Sequence, residues 1–212
     1  MSQFVENVVA MSSGELVVFE GPDGAGKSEL AAHFQRWLVG QGFAAEVQSF
    51  PGREPGTLGK LVYELHSDPE KFHVSELTPA SLQALHIAAH LDAIERRIVP
   101  SLISNRTVVL DRFWWSTYVY GIASDVDREV LDRMIATENA AWGATKPTLL
   151  FLIDRSEPLR PESLDFWRTC KDLYRELLAT ERTQYLCETI VNDGDIEQTL
   201  ELLIKSWQKR PR

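Results

Sequence analysis

Leu16-Val17-Val18-Phe19-Glu20-Gly21-Pro22-Asp23-Gly24-Ala25-Gly26-Lys27-Ser28 is the stretch on which the fold of this chain turns. A short apolar run suited to a buried strand passes directly into a glycine-rich turn of the pattern GxxxxGK[ST]. Apolar periodicity then resumes at Leu30, Ala31, Phe34, Trp37 and Leu38, so the order is strand, tight loop, helix. In that context the turn is a phosphate cradle. Small residues let successive backbone amides face an anion, and the first turn of the helix adds its own unpaired N–H groups. Gly21, Pro22, Asp23, Gly24, Ala25 and Gly26 form the cradle. Lys27 is placed to bridge β- and γ-phosphates, and Ser28 to hold a magnesium ion through its hydroxyl. The pattern speaks for binding of ATP or a similar nucleotide; by itself it does not establish catalysis.

Working outward, a second strand is expected at about Ala44–Ser49, then a loop rich in proline and glycine and a short helix over Leu58–Leu65. Thr78-Pro79 supplies a cap and first turn for a long helix ending near Ile103. Thr107-Val108-Val109-Leu110 reads as a buried strand that delivers Asp111 and Arg112 at its C-terminal end. Helices follow at about Phe113–Tyr120 and Asp127–Trp142, then a strand at Thr148–Ile153 and a polar, proline-bearing segment. A helix over Ser163–Thr180, a strand at Tyr185–Ile190 and a helix over Asp195–Gln208 complete the order. Alternating buried strands and helices predict an α/β chain with three layers and a mostly parallel, five-stranded sheet. The expected organisation is an N-terminal extension over 1–14 and a single domain over 15–212, with a short lid near 154–163.

The chain has 212 residues, 44% hydrophobic and 25% charged, enough to bury a core of ordinary size. A formal net charge of -9 argues against a broad nucleic-acid surface, although a small anion needs only a local cradle. No stretch is long and apolar enough for a membrane span, and Met1–Gly14 lacks the pattern of a secretory signal. Cys170 and Cys187 have no CxxC partner and read as reduced thiols. The expected location is therefore the cytoplasm.

Phosphoryl transfer asks for alignment of donor and acceptor and for cations around the transferring oxygens. Asp111 is the candidate carboxylate for the magnesium site, acting through bound water, with a helix N-cap before Phe113 as the competing reading. Arg112 points toward the same crevice. Arg155 and Arg160 occupy the polar segment, where a lid could close over ATP and exclude water.

Four segments together resemble the thymidylate kinase-like nucleoside monophosphate kinases. They are Phe19–Ser28, Arg53-Glu54-Pro55-Gly56-Thr57, Asp111-Arg112-Phe113 with Ser116, and Pro147–Asp154. The resemblance implies a P-loop kinase fold that transfers phosphate from ATP, with magnesium, to a nucleoside monophosphate. It gives Lys27, Asp111 and Arg112 catalytic roles and places Asp23, Arg53, Glu54, Arg112, Ser116 and Tyr120 around the acceptor, with Glu20 ordering the network. It further implies a homodimer through the long helix at Thr78–Ile103. Some relatives carry an arginine inside the cradle; Gly24 stands there in this chain, so the charge is expected from Arg155 or Arg160. His86 and His90 take the positions of the base-stacking phenylalanine and base-reading arginine, and Gly121 that of a base-contacting glutamine. Those departures raise the expectation of a selectivity other than thymine, with both histidines on one helix face toward the base. A metal held by the two histidines is the weaker alternative. Two other functions remain open: a deoxynucleoside kinase with Glu54 as general base, and a nucleotide-binding regulator with little transferase activity. The aromatic residues Phe166 and Trp167 need no special role.

Overall fold

The structure is a computed structural model and describes residues 14–160 and 163–211. All but the last residue of the expected extension, and positions 161 and 162 of the expected lid, lie outside the described residues. In chain order the first elements are β1 (Leu16–Glu20), α1 (Lys27–Gly40), β2 (Ala45–Ser49), α2 (Leu58–Ser67) and α3 (Pro79–Ala93). Then come α4 (Val99–Ile103), β3 (Thr107–Asp111), α5 (Trp114–Ala123) and α6 (Arg128–Trp142). The last are β4 (Leu149–Asp154), α7 (Leu164–Glu181), β5 (Cys187–Val191) and α8 (Ile196–Lys209).

The strands form one five-stranded sheet in the order β2-β3-β1-β4-β5, every neighbouring pair parallel. Its central strands are apolar on both faces because both faces are covered. Val17, Phe19, Val109, Phe151 and Ile153 pack against α1 and α8, where Phe34 lies 5.8 Å from Phe19 and 5.7 Å from Trp207 between ring centroids. The alternate residues Leu16, Val18, Leu110, Leu150 and Leu152 pack against α3, α5, α6 and α7. Each such fully buried side chain contributes about 1.5–3 kcal/mol by leaving water. The predicted α/β architecture with three layers is thus what the chain adopts.

Sheet order also positions the site. After β1 the chain passes outside β3 to form β2, and after β3 it crosses β1 to form β4. The C-terminal ends of β1, β3 and β4 therefore open into one crevice at the point where the winding reverses.

Two local expectations need correction. The long helix is not uniform: after α3, capped by Thr78 through Ser81 N at 3.2 Å, it widens into a π turn over Ile94–Ile98 before α4. Pro100 explains this, since it offers no N–H and its ring displaces the carbonyl four residues back. The short helix expected to end at Leu65 runs on to Ser67, and a 3-10 turn over Pro69–Phe72, capped by Asp68, follows it. No helix among the described residues is long and apolar enough to cross a membrane.

Candidate active site

The cradle between β1 and α1 is fixed by close backbone approach. Gly21 has φ 140°, and a Cβ there would sit 2.4 Å from the carbonyl oxygen of Ile153 on β4. Only glycine fits. Lys27 is buried and donates to the Pro22 carbonyl at 2.8 Å. Burial and the neighbouring Arg112 charge push its ammonium down to about 8, against the opposing pull of Asp23, Asp111 and Glu20. Ser28 Oγ donates to Asp111 Oδ2 at 2.5 Å, so the two expected metal-site residues meet. The other carboxylate oxygen, Oδ1, is buried without a hydrogen-bond partner. A hydroxyl and a carboxylate beside a phosphate cradle, with one oxygen lone pair left unsatisfied, fit a hard divalent cation such as magnesium.

The N-cap reading of Asp111 does not hold, because Glu20 caps α5 instead. Its Oε1 accepts from the backbone N–H groups of Phe113 at 2.7 Å and Ser116 at 3.0 Å, and Oε2 accepts from the Ser116 hydroxyl at 2.8 Å. Burial raises the Glu20 carboxyl; Arg112 and these donors oppose the rise. One carboxylate at the end of β1 thereby fixes where α5 starts.

Arg112 follows β3 in a left-handed conformation, φ 82°, an uncommon setting for a side chain of this size. Its guanidinium donates to Ser116 Oγ at 3.0 Å and pairs closely with the Asp23 carboxylate. Burial works to raise the Asp23 carboxyl, but Arg112, Lys27 and a hydrogen bond with Tyr120 outweigh it and hold Asp23 below its usual value. The Tyr120 hydroxyl accepts from Asp23 N at 2.9 Å. Asp23, Arg112, Ser116 and Tyr120 thus come together on the wall of a cavity of about 470 Å³, which Gly24 of the cradle also lines.

Arg53, Arg112 and Arg160 line this cavity, as do His86 and His90. Glu54 does not: half-exposed, it pairs with Arg97 at 3.0 Å. Arg155 is not on its wall either and donates to the Asn192 carbonyl. Of the two expected lid arginines, Arg160 alone lines the cavity.

The stretch after β4 that was expected to form a lid touches the cradle, with Leu159 N donating to the Gly24 carbonyl at 2.9 Å. Gly24 has φ 74°, and a Cβ there would lie 3.1 Å from both Leu159 N and Pro158 Cβ. Pro158 and Leu159 crowd the space that a side chain would need, which gives a packing reason for glycine at this position.

Several site residues escaped the sequence reading. Trp167 was assigned no role, yet its indole N–H donates to the Asp23 carbonyl at 2.7 Å, and with Phe166 it lines the cavity. Asn192, just past β5, donates to the Ala25 carbonyl at 2.8 Å. Its place after a strand end, like that of Arg112, was the available signal. Lys171 pairs with Asp154, at the end of β4, at 2.8 Å. Gly121 does not face the cavity: a Cβ there would lie 2.5 Å from Leu131 on α6. Thr117, one helical turn before Tyr120, lines it instead.

The histidines share the cavity, their ring centroids 6.3 Å apart. His90 is 3% exposed, stacked on Phe50 at 3.9 Å, and its Nδ1 lies 2.6 Å from Glu138 Oε2. Burial, then the charges of His90, His66 and Arg112, push His86 down to about 3. Among the described residues no cluster of three His, Cys, Asp or Glu side chains could hold a metal ion, so the pair has no third ligand of those types.

Comparison with known proteins agrees with this geometry. The family model described as thymidylate kinase matches residues 19–194. A thymidylate kinase of Parasynechococcus marenigrum is 34% identical over 156 residues, covering 70% of this chain and 71% of its own. One from Chlorobium limicola is 28% identical over 199 residues, covering 84% and 88%. The crystal structure of thymidylate kinase from Ehrlichia chaffeensis superposes with a TM-score of 0.73 at 22% identity, covering 92% of this chain and 100% of that one, and so shares its fold. On the strength of the matched residues and these relatives, the chain belongs to the thymidylate kinase family of ATP-dependent nucleoside monophosphate kinases.

Proposed function

We propose that this chain transfers the γ-phosphate of ATP to thymidylate, yielding the diphosphate. The observation that carries the reading is the cavity lined by Asp23 and Gly24 of the cradle, with Arg53, Arg112 and Arg160 on its wall. Three guanidiniums suit an acceptor that already bears a phosphate. The acceptor base comes from the relatives, which are named thymidylate kinases.

In this reading the cradle amides and Lys27 bind the donor phosphates, and Arg112 and Arg53 hold the acceptor phosphate. Ser28 and Asp111 would hold magnesium, which when bound neutralises charge on the phosphate oxygens. Arg160 reaches the transferring group from the lid over 154–163, whose closure on Gly24 keeps water from competing as acceptor. We further propose 15–212 as one catalytic domain, and a homodimer through the helical stretch from Thr78 to Ile103, which sedimentation against concentration would check.

A second reading, selectivity for another base, draws on His86 and His90 in place of the stacking and base-reading residues; the comparisons give it no support. The deoxynucleoside kinase alternative is weakened because Glu54, its proposed base, is engaged by Arg97 and does not line the cavity. A product-resolved assay of ATP and magnesium with each common ribo- and deoxynucleoside monophosphate tests the proposal. The highest kcat/KM is expected with thymidylate. Preference for another base would install the second reading, and saturable ATP binding without transfer would make the chain a regulator.

A further inference from the structure

Consecutive carbonyls of the cradle are each held by a donor. Pro22 accepts from Lys27 at 2.8 Å, Asp23 from Trp167 Nε1 at 2.7 Å, Gly24 from Leu159 N at 2.9 Å and Ala25 from Asn192 Nδ2 at 2.8 Å. The Gly24–Ala25 peptide is fixed at both ends, because Ala25 N also donates to the Pro22 carbonyl at 3.2 Å. The peptides on either side of it, Asp23–Gly24 and Ala25–Gly26, take side-chain donors from α7 and from the residue just past β5. Both lead into a glycine of positive φ, 74° at Gly24 and 90° at Gly26. Turning a planar peptide over changes the ψ before it and the φ after it by about 180°. Glycine accepts either setting, so the residue type that lets this turn form also lets it flip.

A trans peptide sets its N–H opposite its carbonyl. Holding the Asp23 and Ala25 carbonyls therefore aims the N–H groups of Gly24 and Gly26 away from Trp167 and Asn192. We propose that Trp167 and Asn192 are positioning residues, which keep these two peptides from flipping so that their N–H groups face the donor phosphates. The inference rests on the donor cradle of the kinase reading and deepens it. Both side chains are buried and fixed in turn. Asn192 Oδ1 accepts from the Thr199 hydroxyl at 3.0 Å, which turns Nδ2 toward Ala25, and Asn192 N donates to the Asp154 carbonyl at 2.8 Å. A Cβ on Gly26 would lie 2.4 Å from Asn192 Nδ2, so glycine there leaves room for the contact. A turn that holds its binding geometry only part of the time binds with affinity reduced by that fraction.

Calorimetric titration of a nonhydrolysable ATP analogue with magnesium tests this on two variants. Trp167→Phe keeps an aromatic ring and removes the N–H, and Asn192→Ala removes the other donor. Each is expected to raise the Kd by about fivefold, the scale of one hydrogen bond, while the number of sites stays that of the wild type. In turnover, Asn192→Ala should raise the KM for ATP and leave the acceptor KM unchanged, since Asn192 does not line the acceptor cavity. A merely structural role would lower Tm or the number of sites at unchanged Kd, which would overturn the proposal. Should a variant not fold, 15N NMR of the wild type decides. The Gly24 and Gly26 amide resonances are expected to move on addition of the analogue, and resonances that stay in place contradict the inference. A wild type that binds no analogue sinks the donor reading; one that binds it, with both variants keeping its Kd, sinks this inference alone.

Discussion

At the end of the cleft proposed for the donor, one contiguous turn, Gly21 to Ser28, forms the cradle, and the end of β3 supplies Asp111, bonded to Ser28, and Arg112, paired with Asp23. At the end proposed for the acceptor base no segment is contiguous. His86 and His90 come from α3, Thr117 from α5, Phe50 from the loop after β2, and Glu138 stands behind them on α6. The first region depends on chain geometry that few residue types allow. The second depends on which side chains happen to meet, and can change residue by residue while the phosphate chemistry stays intact. Handling of phosphate and choice of base should therefore respond to different substitutions.

The widest separation should come from Lys27→Ala. Removing the cation at the donor phosphates is expected to lower kcat by about 100-fold or more on every acceptor alike, the scale of losing one preorganised charge contact in a transition state. Thermal stability should not fall with it, because burial already disfavours the Lys27 ammonium. A base-dependent loss would break the comparison.

His86→Phe sharpens the other side. His86 is held down to about 3 in the folded protein against 6.5 for an ordinary imidazole. Between those values the unfolded chain binds the extra proton, so folding stability drops as pH falls below about 6.5 and this contribution stops changing below about 3. From pH 7 to pH 5 the loss from His86 is on the order of 1–2 kcal/mol. The phenylalanine variant should lose less, seen as a shallower fall of Tm with pH. Equal slopes for the two proteins would contradict the burial of a neutral imidazole.

Gly24→Ala should have the smallest effect, at about 1 kcal/mol of stability from the left-handed backbone alone. Because the new methyl group meets Leu159 and Pro158, the KM for ATP should rise as well. A stability loss with unchanged KM would show that the lid contact does not matter to donor binding.

The same contrast explains what could be read from the residues in order. The strand, turn and first helix were legible because a few neighbouring positions determine them, and Asp111 and Arg112 because an apolar strand ends there. His86 and His90 were recognisable as sharing a helix face from their spacing. Glu138 was not, since it meets His90 across 48 positions of chain. Nor was the Trp167 contact with the Asp23 carbonyl, which spans 144 positions. Glu54 looked like an acceptor ligand beside Arg53 until Arg97, arriving from the π turn, claimed its carboxylate. Gly121 appeared to mark a missing base contact, but helix rotation turns it toward Leu131. Sequence order carries the backbone-built end of the site, while tertiary packing alone reveals the partners of the side-chain-built end.

The most direct test compares nucleosides with their 5′-monophosphates as phosphate acceptors from ATP, each product resolved by chromatography. Diphosphates from monophosphates, with nucleosides left untouched, is the result expected of a cavity that gathers Arg53, Arg112 and Arg160. Phosphorylation of nucleosides alone would contradict it.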